Sequence, residues 1–366
     1  MEYEKRDLSR GLLVSAFIVG AASLILLTLT LTLFLQEAAG RVPCLLGEVV
    51  LGIVAAMLAA RVGRRRNGWL VALFALIGLA GPALLGLLYL FLYAAAGAAS
   101  GGAWGRPLRL RGRVLHPDLR LGSDWTRGAL PSPAGLDQPT RDALEALWLH
   151  DAQKEHASVP AFSRLSWLLA AVGAPPDLIA AVHGAAVEEI DHARRCFALA
   201  AGYGGRTHTA EPMPDLLDRA ALALDGDALS AIAVESVKDG CLLEDFNADV
   251  AAACAAVCVE PVTRDVLERI SREERSHAEL SWRVVAFCVE RGGARVRRAV
   301  AAVALDRVAR PTAASMEKAA LVAAADDAAL RRHGRLGDDQ WAALWTPRLA
   351  ATAERLRAVL DERAAA

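Results

Sequence analysis

Long apolar stretches with charged boundaries dominate the first hundred positions of the chain. Positions 12–35 are 24 residues without a charge, and positions 69–100 are 32 more. A helix of 24 residues is about 36 Å long, which exceeds the roughly 30 Å of a bilayer's hydrocarbon core. A third apolar stretch, 42–60, is interrupted only by Glu48. We therefore predict a membrane anchor over 1–100 with two or three spans.

Positive charges beside these stretches give no single orientation. Arginines follow both 42–60 and 69–100, and with three spans these two clusters fall on opposite sides of the membrane. We expect a multi-pass protein of a bacterial inner membrane, in contact with membrane lipid, with the remainder of the chain on the cytoplasmic side.

The pattern changes over 101–137, where glycine, proline and arginine are frequent. Prolines at this density prevent a continuous helix. We interpret this segment as a linker, and its positive charge suits contact with anionic headgroups as well as a solvated chain.

From about residue 138 the pattern becomes that of long helices separated by proline and glycine. Proline at a helix start and glycine beyond its end are the usual boundaries. Short turns join the first pair and the second pair, and about 25 residues connect the pairs, which favours a four-helix bundle with one long crossover over 138–293. Residues 294–366 add further helices, with Trp341 and Trp345 as packing anchors. The predicted helices are Thr140–Val172, Pro176–Ala201, Asp225 or Asp227 to about Val259, and Pro261–Arg291.

Composition agrees with an all-α protein. Alanine dominates the 54% of hydrophobic residues, and aromatic residues make up only 5%; alanine favours helices and is depleted in strands. The net charge of −1 argues against a nucleic-acid binder.

Candidate chemistry is concentrated in two pairs of glutamate and histidine. Glu189-Ile-Asp-His192 and Glu274-Arg-Ser-His277 fall in the second helix of each predicted hairpin. Side chains at i and i+3 lie on one helix face, so each pair can converge on one metal ion. Glu155 precedes Glu189 by 34 residues, and we expect it to face that pair across its hairpin.

The corresponding glutamate of the third helix is Glu244, 30 residues before Glu274. Its helical stripe contains small and apolar residues and can face a core, whereas Glu235 and Asp239 share a polar face. A bulge at Gly240 would turn Asp239 inward. We choose Glu244, and expect it and Glu155 to bridge two metal ions held by the two pairs.

Neighbouring residues carry weaker expectations. Asp151 could orient a ligating histidine, and Pro160 should kink the first helix beside Glu155. We expect His156 to lie at the surface or behind the ligands. The flanking acids are expected to form surface ion pairs with Arg194, Arg195 or Arg272; these acids are Glu188, Asp191 and Glu273.

The combined pattern resembles the ligand set of the ferritin-like di-iron superfamily. Glu-His-Ala-Ser-Val at 155–159, Asp-His-Ala-Arg at 191–194 and Gly-Cys at 240–241 are similar to bacterial ferritin-like domain proteins of unassigned activity. The resemblance covers about 140–292 and implies two iron ions, with manganese as an alternative, held by Glu155, Glu189, His192, Glu244, Glu274 and His277.

Relatives of this superfamily include ferroxidases, rubrerythrins and di-iron hydroxylases. The resemblance therefore implies an oxidoreductase that activates dioxygen, with an unidentified electron donor and, given the anchor, a lipid-soluble substrate. The alternatives are a ferroxidase or metal-handling protein and a membrane-tethered helical interaction module with a structural metal.

Overall fold

The first helical hairpin begins at an aspartate cap and turns at a glycine. In the computed structural model, which describes residues 105–110, 113–217, 224 and 226–362, helix α1 spans Gln138–Ala171 and α2 spans Pro176–Gly204. The Asp137 carboxylate accepts a hydrogen bond from the Thr140 backbone N–H at 3.1 Å, which satisfies one of the free donors of the first turn. Gly173 adopts a φ of 71° in the turn between the helices, a conformation that glycine reaches without steric strain.

The second hairpin contains an expanded helical segment. Asp227 caps α3, Ala228–Glu235, which continues into a π-helix over Ser236–Glu244 and then into α4, Asp245–Val257. A π-helix bonds each N–H to the carbonyl five residues back, so its turns are wider than those of an α-helix. The predicted third helix is therefore present, but with nine π-helical residues at its middle.

Helix α5 is longer than predicted. It spans Pro261–Ala301, and the carboxylate of Glu260 caps its first turn by accepting from the Thr263 backbone N–H at 2.6 Å. The predicted end at Gly292–Gly293 is a kink, because Gly293 leaves helical geometry with φ 58° and ψ −142° before the helix resumes. A single glycine can absorb this conformation while the chain on both sides stays helical.

Residues 105–110 and 113–136, expected to be part of a linker, pack against the helices. Strands β1, Arg109–Leu110, and β2, Arg113–Val114, pair antiparallel, and β3, Leu119–Leu121, pairs antiparallel with β4, His208–Ala210. Together with Ala161 of α1, buried leucines of this segment form a small apolar cluster. Arginine and proline content alone suggested a linker that either contacts anionic headgroups or is solvated, but the interspersed leucines bury enough apolar surface to hold the segment in place.

Pro160 lies inside α1 without ending the helix. Pro160 has no backbone N–H to donate within its helical turn. In the same turn, the Ala157 carbonyl accepts a hydrogen bond from the Leu108 backbone N–H of the packed segment at 3.0 Å.

Beyond α5, three helices and one 3₁₀ turn complete the described chain. The C-terminal residues form a 3₁₀ turn at Leu305–Arg307 and helices α6, Met316–Ala324, α7, Asp327–Arg332, and α8, Asp338–Glu362. Both predicted anchors, Trp341 and Trp345, are buried, and their rings meet the Phe246 ring edge-on at centroid distances of 6.0 and 5.0 Å. The extension is thereby attached to α4, and the described part of the chain is mostly helical, as expected for an all-α protein.

The predicted membrane spans of 1–100 lie outside the described residues. Within the part of the chain that the structure describes, no helix combines the length and the hydropathy that crossing a bilayer requires.

A substitution at Gly240 tests the close packing of the π-helix. A Cβ atom at this position would overlap the Ser281 side chain and the Arg106 guanidinium. We expect Gly240→Ala to lower the free energy of unfolding by about 1–3 kcal/mol, the usual range for overpacking a core. The measurement is chemical denaturation of the full chain.

Gly184→Ala is the matched control, because a Cβ atom at this helical glycine meets no other atom within 4 Å. It should raise the free energy of unfolding by about 0.5–1 kcal/mol through the better helix propensity of alanine. Equal effects of the two substitutions would contradict the packing described for Gly240.

Candidate metal centre

Four helical segments bring the six predicted side chains to one interior volume. Each of the six is at most 6% exposed. Helices α2 and α5 each contribute a glutamate and the histidine one turn later, α1 contributes one glutamate, and the last residue of the π-helix contributes another. The six are Glu155, Glu189, His192, Glu244, Glu274 and His277.

The first half of the cluster is arranged around His192. Its Nδ1 atom lies 3.7 Å from Glu155 Oε2, 3.6 Å from Glu189 Oε2 and 3.8 Å from Glu274 Oε1. In this group, one ligand atom from each of the four residues lies within 4.8 Å of every other. Such a set of oxygen and nitrogen atoms has the size and chemistry to hold one metal ion.

The second half of the cluster is arranged around His277 in the same way. Its Nδ1 atom lies 3.1 Å from Glu189 Oε1, 4.0 Å from Glu244 Oε2 and 3.9 Å from Glu274 Oε2. These four residues form a second group that meets the same 4.8 Å limit.

The carboxylates common to both groups are Glu189 and Glu274. We expected Glu155 and Glu244 to bridge two metal ions; in the structure each of them belongs to one group only, which favours Glu189 and Glu274 for that role. The reason is positional: Glu189 and Glu274 lie on the two helices that carry the histidines, so each reaches both imidazoles, whereas the other two glutamates approach from opposite ends of the cluster.

The outward nitrogen of each imidazole is bonded to a glutamate of the other histidine-bearing helix. His192 Nε2 lies 2.7 Å from Glu273 Oε2, and His277 Nε2 lies 2.7 Å from Glu188 Oε2. Each carboxylate accepts a hydrogen bond from Nε2–H, so that in the neutral imidazole Nδ1 is the lone-pair nitrogen facing the cluster.

This arrangement corrects the prediction that Glu188 and Glu273 form only surface ion pairs with arginine. Glu273 does meet an arginine, Arg269, at 3.1 Å, but the same carboxylate also holds His192. A sequence feature marked both residues: each glutamate-histidine pair is preceded directly by a further glutamate. A residue one position before a ligand points about 100° away on its own helix, so its contact with the opposite helix is visible only in the packed structure.

Inward-facing atoms of the cluster have no hydrogen-bond partner among the described residues. They are both carboxylate oxygens of Glu189 and of Glu244, Oε2 of Glu274, and Nδ1 of both histidines. A buried polar atom without a partner costs about 1–3 kcal/mol, and more when it is charged. Seven such atoms around one volume fit a site that is completed by cations.

In the metal-free chain, protons balance part of this charge. Burial, with the nearby Glu189 carboxylate, raises the pKa of Glu155 to about 8. Burial and the Glu244 carboxylate raise the pKa of Glu274 well above its usual value. Although burial opposes it, the hydrogen bond to Glu188 and the charge of the nearby Glu189 carboxylate raise the pKa of His277 to about 9. Metal binding would therefore displace protons, as is usual where ligands must be deprotonated.

The third helix supplies Glu244 and neither of the alternatives. Glu235 forms an ion pair with Arg164 at 2.9 Å, and Asp239 forms one with Arg109 at 2.6 Å. The π-helix does not turn Asp239 toward the cluster; it ends at Glu244 and leaves that side chain fully buried.

Asp151 was expected to orient a ligating histidine, and this prediction is wrong. His156 was expected at the surface or behind the candidate ligands, and its position agrees with this expectation. Asp151 forms an ion pair with Arg335 at 2.6 Å and holds no histidine. His156 is partly buried, with its ring against Trp125 at a centroid distance of 4.5 Å. It is not part of either four-residue group.

A buried arginine close to the cluster was missed by sequence reasoning. Arg106 is 1% exposed, donates to Ser281 Oγ at 3.1 Å and lies 5.5 Å from the Phe162 ring centre. Phe162 in turn meets the His277 ring edge-on at 5.1 Å. Nothing in the sequence distinguished this arginine from its five neighbours in the expected linker, since its burial depends on how the segment packs.

Comparison of the chain with protein-family models, with curated proteins and with solved structures gives no match.

Removing the glutamates behind the histidines should weaken metal binding. Partners of this kind orient ligating imidazoles, and their loss typically lowers metal affinity about 10–100-fold. We expect this decrease for Glu188→Ala and Glu273→Ala, measured by anaerobic titration of the metal-free full chain with Fe²⁺ or Mn²⁺.

Glu268→Ala is the control, because Glu268 is an exposed glutamate of the same helix α5. It should bind metal as the unsubstituted chain does. If Glu188→Ala and Glu273→Ala match this control, the two hydrogen bonds do not orient ligands.

Proposed function

We propose that the chain is a carboxylate-bridged di-iron protein of the ferritin-like type that activates dioxygen to oxidise an organic substrate. The observation that carries this proposal is the pair of four-residue groups sharing Glu189 and Glu274. A glutamate from each of two helices plus a glutamate-histidine pair from each of the other two is the ligand arrangement of di-iron bundles. An iron–manganese pair would use the same ligands.

The residues of each half have a defined part in this proposal. Glu155 and His192 would hold one ion, Glu244 and His277 the other, and both shared carboxylates would lie between the ions. When bound, the two ions would supply electrons to dioxygen, and this chain's own groups would set their charge and position.

Charge balance supports two divalent ions. Four ionised glutamates carry four negative charges, and two neutral imidazoles carry none, so two divalent cations neutralise the interior. A buried set of charges is tolerated when it is paired in this way. The Arg106 guanidinium and the acids Glu188 and Glu273 then lie outside a neutral centre.

The proposed setting of this chemistry is a bacterial inner membrane, with residues 1–100 as the anchor and the described residues on the cytoplasmic side. An anchored enzyme reaches substrates dissolved in the bilayer, which favours a lipid-soluble substrate. The electron donor would be a separate protein.

Metal content and oxygen reactivity test this proposal. The full chain, stripped of metal and reloaded with Fe²⁺ under anaerobic conditions, should retain about two iron ions, in line with two four-ligand groups. Mixing with oxygenated buffer should then oxidise the bound iron rapidly, followed as a change in optical absorbance. Addition of the true substrate should couple oxygen consumption to product.

Two matched pairs of variants locate the site. Glu189→Ala and His277→Ala should reduce the iron content to one ion or none, whereas Glu235→Ala and His183→Ala should leave it unchanged. Glu235 pairs with Arg164, and the His183 ring lies 2.7 Å from Ser166 Oγ, so both controls lose a bonded side chain outside the cluster. Circular dichroism checks that each variant is folded.

The outcomes separate the possible functions. Full iron content in folded His277→Ala would refute the site. Iron that binds but does not react with oxygen would identify a structural metal in an interaction module. Iron that is oxidised and released, with no substrate increasing oxygen consumption, would identify a ferroxidase or metal-handling protein instead.

A further inference from the structure

A cavity of about 370 Å³ lies between the helical bundle and the C-terminal extension. On the bundle side its wall includes Trp148 of α1, Val250 of α4 and Ile270 of α5, and on the other side Val322 of α6 and Trp341 of α8. Its size is within the range of small-molecule sites, and its wall is mainly hydrophobic. The extension is therefore more than an added packing layer, because it forms one side of a partly open apolar cavity.

The cavity reaches the candidate metal centre at one point. Glu155, a member of the group around His192, is also part of the cavity wall. The other three members of that group, Glu189, His192 and Glu274, do not line the cavity. A molecule in the cavity would thus approach the centre from the Glu155 side.

Arg335 gives this apolar wall a specific polar group. Its guanidinium lies 3.8 Å from the Trp148 ring centre and donates through Nη1 to Asp151 Oδ2 at 2.6 Å. The Arg335 side chain is only 10% exposed, and its Nε and Nη2 atoms are buried without a hydrogen-bond partner among the described residues. The three N–H bonds of these two nitrogens therefore lack an acceptor among the described residues, on a side chain that lines the cavity.

The ion pair with Asp151 already neutralises the charge of Arg335. The missing partner is thus an oxygen acceptor and not a full counter-charge, and a carbonyl oxygen provides such an acceptor. Asp151 lies one helical turn from Glu155, which places the polar group beside the metal-facing end of the cavity.

We infer that this cavity binds the substrate, and that the substrate is an apolar small molecule with a carbonyl oxygen that accepts hydrogen bonds from Arg335. The identification of the ligand as the substrate rests on the proposed function; the binding of such a ligand does not.

Photolabelling tests the inference directly. Benzophenone is an apolar ketone of suitable size that, on irradiation, attaches to nearby C–H bonds, and mass spectrometry locates the attachment. We expect label on peptides that contain Val250, Val322 or Trp341 when the metal-free full chain is used. Because attachment is read residue by residue, probe dissolved in lipid or detergent does not contribute.

A substitution that fills the cavity provides the matched comparison. Ala319 lies in the cavity wall yet is exposed, so Ala319→Trp adds bulk at the mouth without straining the core. It should reduce labelling of the cavity peptides at least fivefold, a loss of about 1 kcal/mol of binding. Ala320→Trp adds the same side chain at the adjacent exposed residue, which is outside the wall, and should leave the labelling unchanged.

Competition by two molecules of nearly the same shape tests the carbonyl. Fluorenone carries a carbonyl oxygen where fluorene carries a CH₂ group. Fluorenone should compete with the label about two- to tenfold better, the value of one hydrogen bond. This advantage should disappear in the double variant Arg335→Met and Asp151→Asn, which removes both members of the ion pair and so leaves no unpaired charge.

The labelling, competition and iron-binding results each test a different part of the inference. Label confined to other regions, or equal labelling of the two tryptophan variants, overturns the cavity as the binding site. Equal competition by fluorene and fluorenone overturns the proposal that Arg335 donates hydrogen bonds to a carbonyl oxygen of the ligand. If the metal-free chain is labelled as expected but no iron binds, the proposed function fails while the ligand site stands; if iron binds and reacts with oxygen but the cavity takes no label, the reverse holds.

Discussion

Six ionisable side chains share one interior volume, and seven inward atoms on five of them have no hydrogen-bond partner among the described residues. Four carboxylates cannot be buried together as anions unless cations or protons balance them. In the metal-free chain, protons do this, as the raised pKa values of Glu155, Glu274 and His277 indicate. The hydrogen bonds and helix contacts around the cluster all act on these buried charges.

Two kinds of contact hold the cluster in register. Crossed hydrogen bonds from His192 to Glu273 and from His277 to Glu188 connect α2 and α5 and point both Nδ1 atoms inward. The π-helix ends at Glu244, and its Gly240 allows the backbone to approach Ser281 of α5. These contacts are short-range and directional, so they position ligands more narrowly than apolar packing alone would.

The candidate ligands could be predicted from the sequence, but the residues around them could not. The spacing of Glu189 and His192, and of Glu274 and His277, is a property of one helix, and capping residues such as Asp137 and Glu260 are local as well. Which carboxylates are shared, and which acids lie behind the imidazoles, depends on contacts between residues of α2 and α5 that are more than 80 positions apart in the chain. The burial of Arg106 and the cavity under α6 likewise depend on segments that pack from far away in sequence.

The amino-acid sequence by itself determined the helical class, the main helix boundaries and five of the six residues that converge, because helix period, proline and glycine act over a few positions; it favoured Glu244 as the sixth and left Glu235 and Asp239 as alternatives. Tertiary structure alone decided that Glu189 and Glu274 belong to both four-residue groups, that residues 105–110 and 113–136 pack against the bundle, and that the C-terminal helices form one wall of an apolar cavity. These outcomes follow from the relative rotation and spacing of whole helices, which local sequence periodicity leaves open.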